Sequence, residues 1–229
     1  MNRLGNQKYQ QYTKNDGILA LLLFGVFIIL YSILAILEIN IKVIKDNIVI
    51  VGCILNGLLI LGTMLFIKIR KQGLDSIGLY NGNWKKSCLL GMILGLVLFF
   101  NNCGIYLLQG KKMIEIHKVF VYVIYFFLVS LSEEMAFRGY MNTRISGIIK
   151  KQWVATIVVG LLFTIMHFPY RMIAYGMSFS ELTIDNMFWL IDLFITHIVL
   201  SFIYLKTKSL YGAVIPHWIS NLANTIVIK

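Results

Sequence analysis

Residues 119–140 read VFVYVIYFFLVSLSEEMAFRGY. From Val119 to Val129 the run carries no charge, and then Glu133, Glu134 and Arg138 follow in quick succession. The apolar part is what a bilayer-crossing helix looks like, and a charged side chain inside a bilayer is costly enough that its presence there points to a functional site. The fold follows from the first half of this stretch and the chemistry from the second.

The surrounding chain has the same character. Of 229 residues, 59% are hydrophobic and 14% charged, where a soluble domain has roughly 45–50% apolar and about 25% charged residues. A helix needs about 20 apolar residues to cross the hydrocarbon core, and seven runs qualify, at about 17–39, 48–69, 87–109, 119–140, 153–169, 187–206 and 210–228. The expected fold class is therefore all-α, a polytopic membrane bundle of about seven transmembrane helices. Its expected organisation is a polar cytoplasmic segment at 1–16, three spans within 17–110, and a core of four spans within 111–229. The first segment, MNRLGNQKYQQYTKND, is polar, and the apolar run behind it is too long for a signal-peptide core. It is expected to remain in the membrane as the first span.

The net charge of +11 does not indicate a nucleic-acid partner, because no Lys/Arg cluster is interleaved with aromatics on a soluble region. Basic residues accumulate in the cytoplasmic loops of membrane proteins. Here Arg70, Lys71, Lys85, Lys86, Arg144, Lys150, Lys151, Lys206 and Lys208 fall on the side shared with the N-terminus, outweighing Lys42, Lys45, Lys111, Lys112, Lys118 and Arg171 on the other. The N-terminus is expected in the cytoplasm and the C-terminus outside. Cys53, Cys88 and Cys103 lie in or beside apolar runs without CxxC spacing, and read as packing residues rather than a disulfide framework or zinc site.

Ionisable and imidazole groups within the spans are few. Glu133, Glu134 and Arg138 lie in the fourth, His167 in the fifth, Asp192 and His197 in the sixth, and His217 with Asn221 in the seventh. Glu38 sits at the end of the first span and is given no role. Residues four apart share a helix face, so Glu134 and Arg138 are expected to pair. Glu133, about 100° around the helix, is left free of that partner. Phe163 with His167, and His217 with Asn221, have the same spacing. Pro169 is expected to end the fifth helix, and Pro216 to loosen the backbone before His217. Glu133, His167, His217 and Asn221 could converge on one polar cavity.

A carboxylate beside an imidazole can hold a water and take its proton. A second imidazole with a carboxamide N–H₂ can stabilise the oxyanion formed when that water adds to a peptide carbonyl. Ser130 and Ser132 have no histidine at local spacing, so water is the expected attacker. The other use of two histidines and a glutamate is to bind a divalent metal such as zinc, here Glu133, His167 and His217. HExxH is absent. Drawn as straight spans, the sequence places His217 in the inner half of the membrane and His167 further out, so the two meet only if helices are tilted, offset or differently bounded.

EEMAFRG, FTIMH and YLKTKSLYGAVIPHWISN, in that order, resemble the CPBP family of intramembrane proteases, the CAAX-processing and bacteriocin-processing enzymes also called the Abi family. The likeness covers about residues 119–225. It implies that Glu133 and His167 activate water, that His217 and Asn221 form the oxyanion hole, and that Glu134 and Arg138 shape the site. It favours a glutamate-based, cofactor-free mechanism over a metal-dependent one. The turn KTKSLYG departs from the family in carrying Lys208 where many members have Gly. The implied substrate is a peptide or membrane-anchored protein met at the lipid bilayer. A composition rich in Lys, Ile and Asn fits an AT-rich bacterial genome, which argues against prenylated substrates and places the protein in a bacterial cytoplasmic membrane. Two other readings are a non-enzymatic immunity or regulatory protein of the same fold, and a proton-coupled transporter. An intact hydrolytic set argues against the first and the lack of inverted repeats against the second. The sequence leaves the oligomeric state open. Asp192 and His197 read as polar packing or cavity lining, and the glycines of Gly91-Met92-Ile93-Leu94-Gly95 as close packing within the protein.

Overall fold

A reciprocal cap opens the first helix. Asp16 Oδ2 accepts from the Thr13 backbone N–H at 2.8 Å, and the Thr13 hydroxyl oxygen accepts from the Asp16 N–H at 3.4 Å, satisfying donors that a helix start leaves open. From there the computed structural model, which describes residues 12–79 and 83–228, is a bundle of helices. They are α1 Lys14–Asn40, α2 Ile48–Ile69, α3 Trp84–Leu108, α4 Ile116–Gly147, α5 Gln152–Ala174, α6 Met187–Thr207 and α7 Tyr211–Thr225. The first six are long and apolar enough to cross a membrane. Among the described residues there is no β-sheet, and the expected helical membrane bundle is the fold. Residues 1–11 of the expected polar segment lie outside the described residues.

The side-chain pattern is that of a helix between protein and lipid. On α2 the exposed positions are Ile50, Ile54, Leu58, Leu61, Leu65 and Ile69, while Gly52, Asn56, Leu59, Thr63 and Ile67 are buried. The outward face is apolar and the inward face carries the small and polar residues, as packing in lipid requires.

Two helices run further than the sequence suggested. α4 does not stop near Gly139. It passes into a wider π-helical stretch, Glu134–Met141, and continues to Gly147. α5 does not end at Pro169 but runs on to Ala174. Proline removes one N–H, yet leaving the helix inside a bilayer would expose many more backbone groups.

α7 packs most extensively on α3, α1 on α5, and α2 on α4. The glycines of α3 serve the first of these contacts. A Cβ at Gly91 would stand 3.0 Å from Gly212 Cα, and one at Gly95 would stand 2.6 Å from Ile219 Cδ1. Between α6 and α7 the turn places Lys208 at φ 56°, the left-handed region where glycine is favoured. The lysine at this family-atypical position adopts the backbone shape that a glycine would take without strain.

Arg144, counted above as a loop charge, is instead fully buried. Its guanidinium donates to Gln72 Oε1, to Ser76 Oγ and O, and to the Gly139 carbonyl. Gln72 Nε2 in turn donates to Asp16, which also pairs with Arg70 at 2.8 Å. A polar knot thereby ties the start of α1, the α2–α3 segment and the end of α4 together at one end of the bundle.

Candidate active site

The α4 junction between regular and π-helical backbone falls at Glu133 and Glu134, and π segments are frequent at functional sites. Ser132, one residue earlier, donates to Asn56 Oδ1 of α2, which also accepts from the Tyr31 hydroxyl of α1. Gly139, further along, lies where a Cβ would approach Ile77 Cβ to 2.9 Å. Neighbouring elements thus fix α4 on both sides of its carboxylates.

Glu134 and Arg138 pair as their spacing implied, Arg138 Nη1 standing 2.7 Å from Glu134 Oε1, with both side chains fully buried. The same oxygen lies 2.7 Å from His217 Nδ1. Glu134 therefore joins Arg138 to the α7 imidazole, a link the sequence did not reveal because α4 and α7 are 83 residues apart here. The other ring nitrogen, His217 Nε2, faces Glu133 Oε2 at 3.7 Å. Glu133 is 5% exposed and His217 9%, so both are enclosed without being sealed off.

Phe163 of α5 lies at the centre of this group. Its ring sits under the Arg138 guanidinium at 4.4 Å and within 6.3 Å of the rings of His167, His197 and His217. A desolvated cation over an aromatic face is stabilised by the ring quadrupole, which gives the Phe of FTIMH a physical task. One turn on, His167 Nδ1 donates to the Phe163 carbonyl at 2.8 Å. A carbonyl only accepts, so in the neutral ring Nε2 is left as an acceptor.

Glu133, His167, His217 and Asn221 all line one cavity of about 360 Å³, with walls that include Tyr31, Tyr125, Tyr170, Arg171 and Trp189. α4 and α5 are bounded differently from the straight spans drawn above, and the residues meet at one cavity. α4 is 32 residues long, a rise of about 48 Å that exceeds the roughly 30 Å hydrocarbon core. Glu133 and Glu134 therefore lie well inside its ends. Tyr31 comes from α1, so the N-terminal helices help to line the site. Their signal was a tyrosine and an asparagine facing inward, Tyr31 and Asn56, which composition alone does not separate from packing residues.

Other polar groups fall outside this cavity wall. His197 is fully buried behind Phe163, its Nε2 3.2 Å from Ser201 Oγ, so it is a packing residue. Asp192 is exposed on α6. Glu38, given no role above, accepts from the Tyr170 hydroxyl at 2.5 Å.

Glu133, His167 and His217 do not fit a shared metal ion as placed. Among the described residues, no three His, Cys, Asp or Glu side chains stand close enough together to hold one. His217 Nδ1 is engaged with Glu134, and His167 Nδ1 with the Phe163 carbonyl.

Residues 115–223 match the family model described as type II CAAX prenyl endopeptidase Rce1-like. This segment belongs to the CPBP family of intramembrane proteases. The CPBP segment contains α4 to α7 almost entirely, and with them every side chain of the Glu133–Glu134–Arg138–His167–His217–Asn221 constellation. No curated protein and no solved structure matches the chain.

Proposed function

We propose that the protein is an intramembrane endopeptidase that hydrolyses a peptide bond in a membrane-associated substrate of the CAAX type, using Glu133 and no metal ion. The observation that carries this reading is the convergence of Glu133, His167, His217 and Asn221 on one cavity. The family match supports endopeptidase activity in general.

Glu133 acts as general base. A water held between its carboxylate and His167 Nε2 loses a proton to Glu133 as its oxygen adds to the scissile carbonyl. His217 and Asn221 meet the developing oxyanion. With a proton on both nitrogens, His217 brings the buried set Glu133, Glu134, Arg138 and His217 to zero net charge, and its Nε2–H becomes a donor into the cavity. Glu134 holds the ring in that orientation through Nδ1. Donors fixed in advance in an enclosed site stabilise a transition-state oxyanion far better than mobile water does. Glu133 then returns its proton to the leaving nitrogen as the C–N bond breaks, releasing an acid and an amine.

The test is cleavage of a peptide library by the purified protein and by Glu133→Gln, read by mass spectrometry with and without a chelator. The expected result is cleavage by the wild type that chelation leaves intact, and a loss of roughly 10²–10⁴-fold in the variant, the range of a general base. Loss on chelation with recovery on adding a divalent ion would overturn the metal-free mechanism. Equal cleavage by both proteins would remove Glu133 from the chemistry.

A further inference from the structure

Arg171 lies four residues after His167 on α5, hence on the same helix face, and both line the cavity. Its guanidinium carbon stands 3.7 Å from the centroid of the Trp189 ring, while the Trp189 ring meets His167 edge-on at 5.6 Å. Trp189 therefore seats the imidazole and the guanidinium side by side. The bundle's other arginines with described side chains all have polar partners. Arg138 pairs with Glu134, Arg70 with Asp16, and Arg144 is held by Gln72, Ser76 and Gly139. Arg171 pairs with no carboxylate among the described residues. Two nearby carboxylates are already engaged: Glu38 accepts from the Tyr170 hydroxyl, and Glu181 from the Ser178 N–H and hydroxyl.

We propose that Arg171, stacked on Trp189, is a subsite for a carboxylate of the substrate. This rests on the peptidase reading above and adds a charge preference to it. Stacking on an indole leaves the guanidinium N–H edge available, and that edge matches a carboxylate with two parallel hydrogen bonds. One helical turn separates Arg171 from His167, about 6 Å along the axis. An extended peptide advances about 3.3 Å per residue. The recognised carboxylate therefore lies about two residues from the bond that is cut. It is supplied either by a free C-terminus or by an acidic side chain at that distance.

The experiment uses the full chain in detergent and a peptide the wild type cleaves, resynthesised in three forms: free C-terminal acid, C-terminal amide, and amide with an aspartate two residues from the cut. The expected wild-type kcat/KM is roughly tenfold or more higher for a carboxylate form than for the plain amide, the scale of a hydrogen bond to a charged group, and carried mainly by KM. Which carboxylate form gains identifies the source. Arg171→Gln is expected to erase the preference, and Arg171→Lys to restore part of it. An unchanged preference in Arg171→Gln, or a wild type that favours the plain amide, overturns the proposal while leaving the peptidase reading standing.

A binding arm separates the two failures. N-dodecanoyl-leucyl-leucine, as acid and as amide, is titrated calorimetrically into Glu133→Gln and into the double variant with Arg171→Gln. Tighter binding of the acid, lost in the double variant, supports the subsite even where no cleavage is found. Equal binding of acid and amide, with short-chain phosphatidylglycerol binding lost in the double variant, overturns it and makes Arg171 a lipid-headgroup contact.

Discussion

Replacing Glu134 with Gln removes the charge that Arg138 Nη1 and His217 Nδ1 share, each 2.7 Å from one oxygen. Arg138 would then be a fully buried cation that has lost its paired carboxylate, a change worth about 3–5 kcal/mol of destabilisation. Glu133 stands 3.7 Å from His217 and is not the carboxylate paired directly with Arg138, so Glu133→Gln should leave folding nearly intact. Thermal unfolding of the two variants in detergent is the comparison. Glu134→Gln is expected to melt well below wild type and Glu133→Gln close to it; equal melting would mean that Glu134 does not anchor the pair. The Glu134–Arg138 pair was legible in the sequence because four-residue spacing on a helix fixes which side chains can meet. The Glu134–His217 contact was not, since it depends on how α4 and α7 cross. Arg144 shows the reverse limit. In sequence it sits among loop charges, and only its acceptors on Gln72, Ser76 and Gly139 show that it is interior.

At the level of elements, α3 and α7 approach through glycine. A side chain at Gly91 would meet Gly212 Cα at 3.0 Å and the Gly212 carbonyl oxygen at 3.2 Å, backbone atoms that have no rotamer to change. Gly91→Val should force the helices apart. Since α7 carries His217 and Asn221, it should lower both stability, by about 1–3 kcal/mol for overpacking, and cleavage. The half-buried Gly57, where an added Cβ meets nothing within 4 Å, supplies the control: Gly57→Ala should leave both unchanged. A stable, active Gly91→Val protein would contradict the packing described. Hydrophobic length made the helices legible from sequence, but not their ends. Pro169 and Gly139 are breakers in water, whereas in lipid the demand for internal backbone hydrogen bonds carries α5 and α4 past them. The π-helical stretch at Glu134–Met141 has no periodic signature over so short a span, and it lies at the site.

On the scale of the whole molecule, two sets of contacts define the two ends of the bundle. At one end the α1 start, the α2–α3 segment, the α4 end and the α6–α7 turn meet, through Asp16–Arg70, Arg144–Gln72 and the Leu210 N–H bonded to the Gly78 carbonyl. At the other, the Ile114 N–H donates to the Ile226 carbonyl and the Ile228 N–H to the Lys112 carbonyl, joining the α7 end to the α3–α4 segment. α7 therefore runs from one end to the other, although its 15 residues rise only about 22 Å. The start of α1 and the end of α7 therefore lie at opposite ends of the bundle. The first end carries Lys71, Lys85, Lys86, Lys150 and Lys151, even with Arg144 withdrawn into the interior, and we infer from the positive-inside tendency that it faces the cytoplasm. Single cysteines placed at Lys151 and Lys111, in a chain with Cys53, Cys88 and Cys103 changed to serine, test this in intact cells with a membrane-impermeant maleimide. Labelling is expected at position 111 and protection at position 151 until the membrane is opened. The opposite pattern would invert the orientation and place the Arg144 knot outside, whereas equal labelling of both positions would contradict the crossing of α4 that sets Glu133 inside the membrane.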